Sequence, residues 1–413
     1  MKRILIFSLF PFLLSEVAIG QALAQWRGAE RKGIFNGTDL LKTWPETGPE
    51  LIWAIDDLGN GYGSPSIVND RIYITGEIDS TAYLYCLNLE GKLIWKSDFG
   101  KEWVRSFPGS RSAPTVTSDL VYVASGRGNI FCFEAATGKL KWKKDLLADF
   151  HGQYLLHGHA EAILLDNDRL FFTPGGKDTN VVALNRYTGE LIWICKGVGE
   201  RAAYNSPVLA QLQERKLVLV FTAYQLLGID ASNGELLWSH EQDNTPLQQR
   251  APGYGDTHSN SVWYEEGTIY YLAGDGNGAV RLQLSADGTH IKQLWRNQAV
   301  DNYMGGFIKL GNNIYTTSSS RKQLEKLDAT TGQITDSLKC GEGSVISADG
   351  LLIYYNQRGE IHLINPAKDK LQSDGKFKLS RGTKEHFSHP VIDRGIMYVR
   401  HGKSLMAFRV KQV

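Results

Sequence analysis

The chain has 413 residues, and its 45 basic against 44 acidic side chains leave a net charge of +1. That balance gives no electrostatic case for binding nucleic acid. Forty-three glycines against 12 prolines, with 11% aromatic residues, suit many short strands joined by tight turns around one large core.

The first 24 residues stand apart. Lys2 and Arg3 precede an apolar run from Ile4 to Leu14, and Ala22-Leu23-Ala24 is a small-x-small site before Gln25. This pattern predicts a signal peptide cleaved after Ala24 and an exported product, periplasmic or secreted. No cysteine lies near the cut to carry a lipid, and no later segment approaches the roughly 18 apolar residues of a membrane span. Residues 25–48 read as an N-terminal extension, and residues 49–413 as a repeat domain.

Within that domain one phrase recurs. Leu87-Asn88-Leu89-Glu90-Gly91 leads to Trp95, Phe133 through Gly138 to Trp142, Leu184 through Gly189 to Trp193, Ile229 through Gly234 to Trp238, and Leu284 through Gly288 to Trp295. A sixth copy, Leu327 to Thr335, lacks the tryptophan and places Asp336 near its position; the seventh has Leu379 there. Strand-like repeats spaced by about 45–57 residues mean a propeller or solenoid. Each repeat divides into four strands, the third and fourth joined by a turn whose glycine supplies a positive φ. Trp53, Trp95, Trp142, Trp193, Trp238 and Trp295 are expected to be structural, filling the wide outer gaps between blades with an indole N–H in reach of a carbonyl.

First strands fall near Ser64, Ala113, Glu161, Ser206, Asn260, Gly306, Ser344 and His389. The last repeat ends three strands later, while Leu51-Ile52-Trp53 is a fourth strand without its first three. The expectation is an all-β, eight-bladed propeller of four-stranded antiparallel blades, its last blade closed by the N-terminal strand. Cys86, Cys132, Cys195 and Cys340 are well separated and read as buried free thiols.

The Asp/Asn-x-x-Thr-Gly-x-x-x-Trp phrase resembles the repeat of the quinoprotein (pyrroloquinoline quinone, PQQ) propellers over residues 49–410. The opening Gln25-Trp26-Arg27-Gly28 and the segment Arg201-Ala202-Ala203-Tyr204-Asn205 resemble those of exported PQQ-like propellers of unknown role. PQQ-dependent alcohol dehydrogenases and the outer-membrane assembly lipoprotein are more distant branches. The dehydrogenase branch implies PQQ with Ca²⁺, an adjacent-cysteine disulfide, and carboxylate and Asn ligands. This chain has no adjacent Cys pair and no segment matching those motifs, so no cofactor is expected. The absent lipid-anchor Cys separates it from the lipoprotein.

In a propeller the first strand is innermost, so residues just ahead of it should ring one channel mouth. Tyr62, Arg111, His159, Glu161, Tyr204, Asn205, His258, Asn260 and His389 are the expected ligand-binding set. Arg111 is the expected partner for Glu161, a carboxylate where other repeats carry Ser or Ala. His157 and His159 flank one glycine but specify no metal site. The expected function is a non-catalytic monomer binding a polar small molecule, glycan or protein at this mouth. A PQQ-dependent oxidoreductase is one alternative. A carbohydrate-active enzyme using the Glu, His, Arg and Tyr side chains of the mouth is the other.

Overall fold

The computed structural model describes residues 23–242 and 245–412; most of the expected leader, residues 1–22, lies outside them. Eight antiparallel sheets follow one another along the chain, each with four consecutive or ring-closing strands, the seventh widened to five. Blade 1 runs Ser66–Val68, Arg71–Ile78, Thr81–Asn88 and Leu93–Lys101 from inside to outside. Blade 8 takes its three inner strands from Val391–Asp393, Ile396–His401 and Ser404–Arg409, and its outer strand from Glu50–Ile55. There Leu51 pairs with Phe408 and Trp53 with Ala407. This is the eight-bladed, terminally closed ring that the repeat count predicts.

The outer strands explain the recurring tryptophan. A bulge just before each Trp, as between Leu140 and Trp142, turns the indole toward the next blade. Trp53 Nε1 donates to Leu89 O at 2.8 Å, Trp142 to Arg186 O at 3.0 Å and Trp238 to Gly288 O at 3.1 Å. Trp95 and Trp193 donate to Ala135 O and Ala231 O, each at 3.2 Å, and Trp295 to Ala329 O at 3.2 Å. In the joints of Trp53, Trp95, Trp142, Trp193 and Trp295 the turn glycine of the receiving blade lies beneath the ring, whereas Gly288 gives Trp238 only its carbonyl. A methyl group at Gly138, where φ is +72°, would sit 2.5 Å from Trp95 Cε3. The Thr-Gly turn and the tryptophan are therefore two halves of one joint.

Where the tryptophan is missing, other chemistry joins the blades. Asp336 takes its place in blade 6, and its carboxylate accepts the Leu371 N–H of blade 7 at 2.6 Å. Blades 7 and 8 meet through Phe377, whose ring lies 5.2 Å from Phe408 and 6.0 Å from Trp44. Blades 8 and 1, which do have their tryptophan joint at Trp53, are tied in addition by Arg400, wholly buried, which donates to the carbonyls of Gly61, Gly59, Thr75 and Gly402. All four cysteines are buried and free.

The N-terminal extension enters the channel. Ala24 bridges to Val116 of blade 2, and Ile34–Phe35 adds a parallel strand to the inner edge of blade 7. Between them Arg27 donates to Phe307 O at 2.8 Å and Val345 O at 3.0 Å, and Arg31 to Ile163 O at 2.9 Å and Ala162 O at 3.0 Å. Both guanidiniums are only 3% exposed, and burial pushes them down to about 9 and about 10. Carbonyl dipoles from blades 3, 6 and 7 replace the water these cations have lost.

Candidate functional site

With the plug seated, the axis holds a cup. Its volume is about 440 Å³. Trp26 of the plug forms part of the floor, and Tyr62, Phe107, Tyr204, Tyr303 and Phe387 stand around the wall. Met304 and small residues such as Gly63, Ala113, Ala160 and Ala162 fill the gaps between them. The polar side chains on the wall are Arg111, His157, Ser206, Thr257, Ser259 and His389. A mostly aromatic pocket with a few placed polar groups is the usual form of a small-molecule site.

Strand register decides which side chains face the cup. The pairs Ser66 with Tyr73, Thr115 with Tyr122, Leu164 with Phe171 and Trp263 with Tyr270 are equivalent across blades. Counting back four and two residues gives Tyr62 and Ser64, Arg111 and Ala113, Ala160 and Ala162, Ser259 and Ser261. The expected columns thus slip by one residue in the third and fifth repeats. On an extended chain a slip of one turns a side chain to the opposite face.

Of the nine residues expected at the mouth, Tyr62, Arg111, Tyr204 and His389 line the cup. His159, Glu161, Asn205, His258 and Asn260 are buried behind it. His159 Nε2 meets Gln153 O at 3.0 Å and His258 Nε2 meets Ala223 O at 3.1 Å. Burial holds both imidazoles down at about 4, so they are neutral. Asn205 donates to Phe221 O at 3.2 Å, and Asn260 donates to Leu272 O and Asn302 O, each at 3.0 Å. These five brace the blades.

The Arg111–Glu161 pair does not form. Glu161 is 2% exposed, and among the described residues its carboxyl accepts just the Thr173 N–H, at 3.2 Å. Burial pushes its carboxyl up to about 8, opposed by that contact and by the charge of Arg31. That opposing charge comes from a plug residue that repeat alignment does not point to. Arg111 donates instead to Phe107 O at 2.5 Å and Ser106 O at 3.2 Å. Burial holds its guanidinium down, and Glu102 opposes that.

The wall residues that line the cup fix one another. Tyr62 donates to Glu385 at 2.7 Å. Tyr204 Oη accepts the His157 backbone N–H at 3.3 Å, and its own proton has no acceptor among the described residues. Burial raises that phenol to about 12. His389 Nδ1 lies 2.8 Å from Arg27 Nη1, and its ring meets Trp26 edge-on at 5.2 Å. Alignment of first strands misses Trp26, Phe107, His157 and Tyr303, because they sit on the plug and in loops outside the repeat phrase.

A plugged eight-bladed ring with Trp–Gly joints and an axial cup defines a propeller of the quinoprotein class. A family profile described as "Outer membrane protein assembly factor BamB" (PQQ_2) matches residues 80–337, and the chain belongs to that family. It is 24% identical to quinoprotein alcohol dehydrogenase PedH of Pseudomonas putida, over 64% of this chain and 45% of that one. It is also 24% identical to outer membrane protein assembly factor BamB of Shewanella oneidensis, over 59% of this chain and 61% of that one. The chain thus spans less than two thirds of the length of either relative. The crystal structure of BamB from Moraxella catarrhalis superposes with a TM-score of 0.62 at 12% identity, covering 88% of this chain and 98% of that one; this likeness concerns the fold.

The quinone chemistry found among the relatives can be tested against the wall. Ca²⁺ takes six to eight oxygen ligands, carboxylates prominent among them. Among the described residues, the cup presents no Asp, Glu, Asn or Gln side chain. Among the described residues no three His, Cys, Asp or Glu side chains converge as metal ligands. The donor set does not fit a Ca²⁺-bound quinone. Among the described residues, no helix is long and apolar enough to cross a membrane.

Proposed function

We propose that this chain is an exported, non-catalytic receptor that holds a flat, ring-shaped ligand in the axial cup. One observation carries the reading: a cavity of about 440 Å³ walled by five aromatic side chains over the Trp26 floor. Aromatic walls favour a planar guest by stacking and edge contacts. His159 and Glu161, the pair that would serve as acid and base in the carbohydrate-active reading, are turned away from the cup, which weighs against that reading. The wall also lacks the side-chain carboxylates and carboxamides that a Ca²⁺-bound quinone requires.

The test is a thermal-shift series with planar aromatic compounds, monosaccharides, and PQQ with and without Ca²⁺. A ligand at a hundred times its Kd stabilises by about 2.7 kcal/mol. Planar aromatics are expected to raise the melting temperature of the native chain and to lose that effect in Tyr204→Ala. A response to sugars alone would turn the reading toward glycans. A response to PQQ with Ca²⁺, coupled to dye reduction by an alcohol, would restore the dehydrogenase. Ligand binding undiminished in a well-folded Tyr204→Ala would remove the cup as the site.

A further inference from the structure

The plug supplies more than a stopper, because one of its side chains sets the hydrogen-bonding character of the cup. An arginine side chain only donates hydrogen bonds. Arg27 Nη1 lies 2.8 Å from His389 Nδ1, so that ring nitrogen must accept, and it carries no proton. The guanidinium cannot turn away: Nη2 is held by Phe307 O at 2.8 Å, and Nη1 also by Val345 O at 3.0 Å. Burial and the adjacent Arg27 charge hold the His389 imidazole far below its usual range, so the ring is neutral. Its one proton is therefore on Nε2. His389 lines the cup, and Nε2 has no hydrogen-bond partner among the described residues and is not among the atoms sealed from solvent.

The remaining wall points the same way. Tyr204 has accepted from His157 and keeps a proton to give. Among the described residues, no carboxylate or carboxamide side chain faces the cup to accept a hydrogen bond from a guest. Two free polar valences of the cup, Tyr204 Oη–H and His389 Nε2–H, are thus donors, beside hydroxyls such as those of Ser206 and Thr257 that can give or accept.

We propose that Arg27 is a positioning residue that fixes His389 as an Nε2–H donor, so that the cup selects planar rings bearing an acceptor oxygen, such as a carboxylate or ketone, over rings bearing an amine. This rests on the reading of the cup as a ligand site. It also makes the N-terminal segment part of that site, since Trp26 and Arg27 lie outside the repeats that build the ring.

The test uses the full chain. Long-range proton–nitrogen correlation NMR reports the His389 tautomer directly, with or without a guest. Nδ1 is expected to be unprotonated in the native protein and in Arg27→Lys, which keeps a donor. In Arg27→Met the ring is expected to lose that tautomer preference. Binding is read with para-hydroxybenzoate against para-hydroxybenzylamine, and the acid is expected to be preferred by at least about tenfold, the worth of one good hydrogen bond. His389→Phe, which keeps the aromatic wall, is expected to erase that preference while still binding rings. Should Arg27→Met not fold, the native tautomer and the acid–amine ratio decide. Ring probes that bind a protein with His389 protonated at Nδ1, or bind equally as acid and amine, overturn the proposal alone. Binding of neither probe overturns the ligand-site reading, and the proposal with it.

Discussion

At the scale of single residues, the side chains that sequence reasoning placed at the mouth divide by one physical signal. Tyr62, Arg111, Tyr204 and His389 line the cup. The residue two after each of the first three, and His389 itself, is followed by a proline: Pro65, Pro114, Pro207 and Pro390. Proline fixes its own backbone and restricts the residue before it, which anchors the register. The third and fifth repeats carry Ile163 and Val262 there, and without the anchor their register is not legible. The slip brought His159, Glu161, His258 and Asn260 into view and hid Ala160, Ala162, Ser259 and Ser261. Glu161 yields a prediction of its own. Its folded carboxyl is raised to about 8, whereas in the unfolded chain it titrates in the ordinary range near 4.3. Between those values the folded state keeps a proton that the unfolded state has released. Stability from this group therefore falls as pH rises, by about 1.4 kcal/mol per pH unit in the window, and is fully lost above the folded value. Glu161→Gln should match the native protein below about pH 4 and exceed it progressively up to about pH 8, where the difference levels off. Urea unfolding at several pH values measures this; a difference that stays flat would mean the buried carboxyl is ionised.

At the scale of elements, the turn and the outer strand were readable because they repeat, and the joint between them was readable in kind. The sequence shows a glycine and a tryptophan at fixed spacing; the fold adds that each glycine serves the tryptophan of the preceding blade. A pair of substitutions separates conformation from contact. Gly138 and Gly311 both have positive φ, +72° and +56°, but a methyl group at Gly311 meets nothing within 4 Å. Gly311→Ala should cost about 1–2 kcal/mol, the left-handed penalty alone. Gly138→Ala should add about 1–3 kcal/mol more for displacing Trp95. Equal losses in chemical unfolding would show that the indole yields without cost. The plug was not legible as an element. Residues 25–48 carry no repeat, and their partners are mainly backbone carbonyls of distant blades, which leave no mark in the side-chain pattern.

At the scale of the whole molecule, closure depends on Glu50–Ile55 completing the blade of Ser404–Arg409. Removing residues up to Ile55 should lower the melting temperature sharply and leave a bare sheet edge open to pairing with other chains. Light scattering should then show concentration-dependent association, and a monomeric product of unchanged stability would overturn the role given to this strand. The same strand also orders events in time. Its partner is more than three hundred residues away, and bringing the ends of so long a loop together costs about 5 kcal/mol of chain entropy. The internal blades draw their four repeat strands from one stretch of chain and can form as that stretch becomes free, whereas the eighth must wait for Ser404–Arg409. A chain still being made would hold an open crescent with one strand of its last blade unpaired, and that interval is when it would be most exposed to aggregation and most in need of a chaperone.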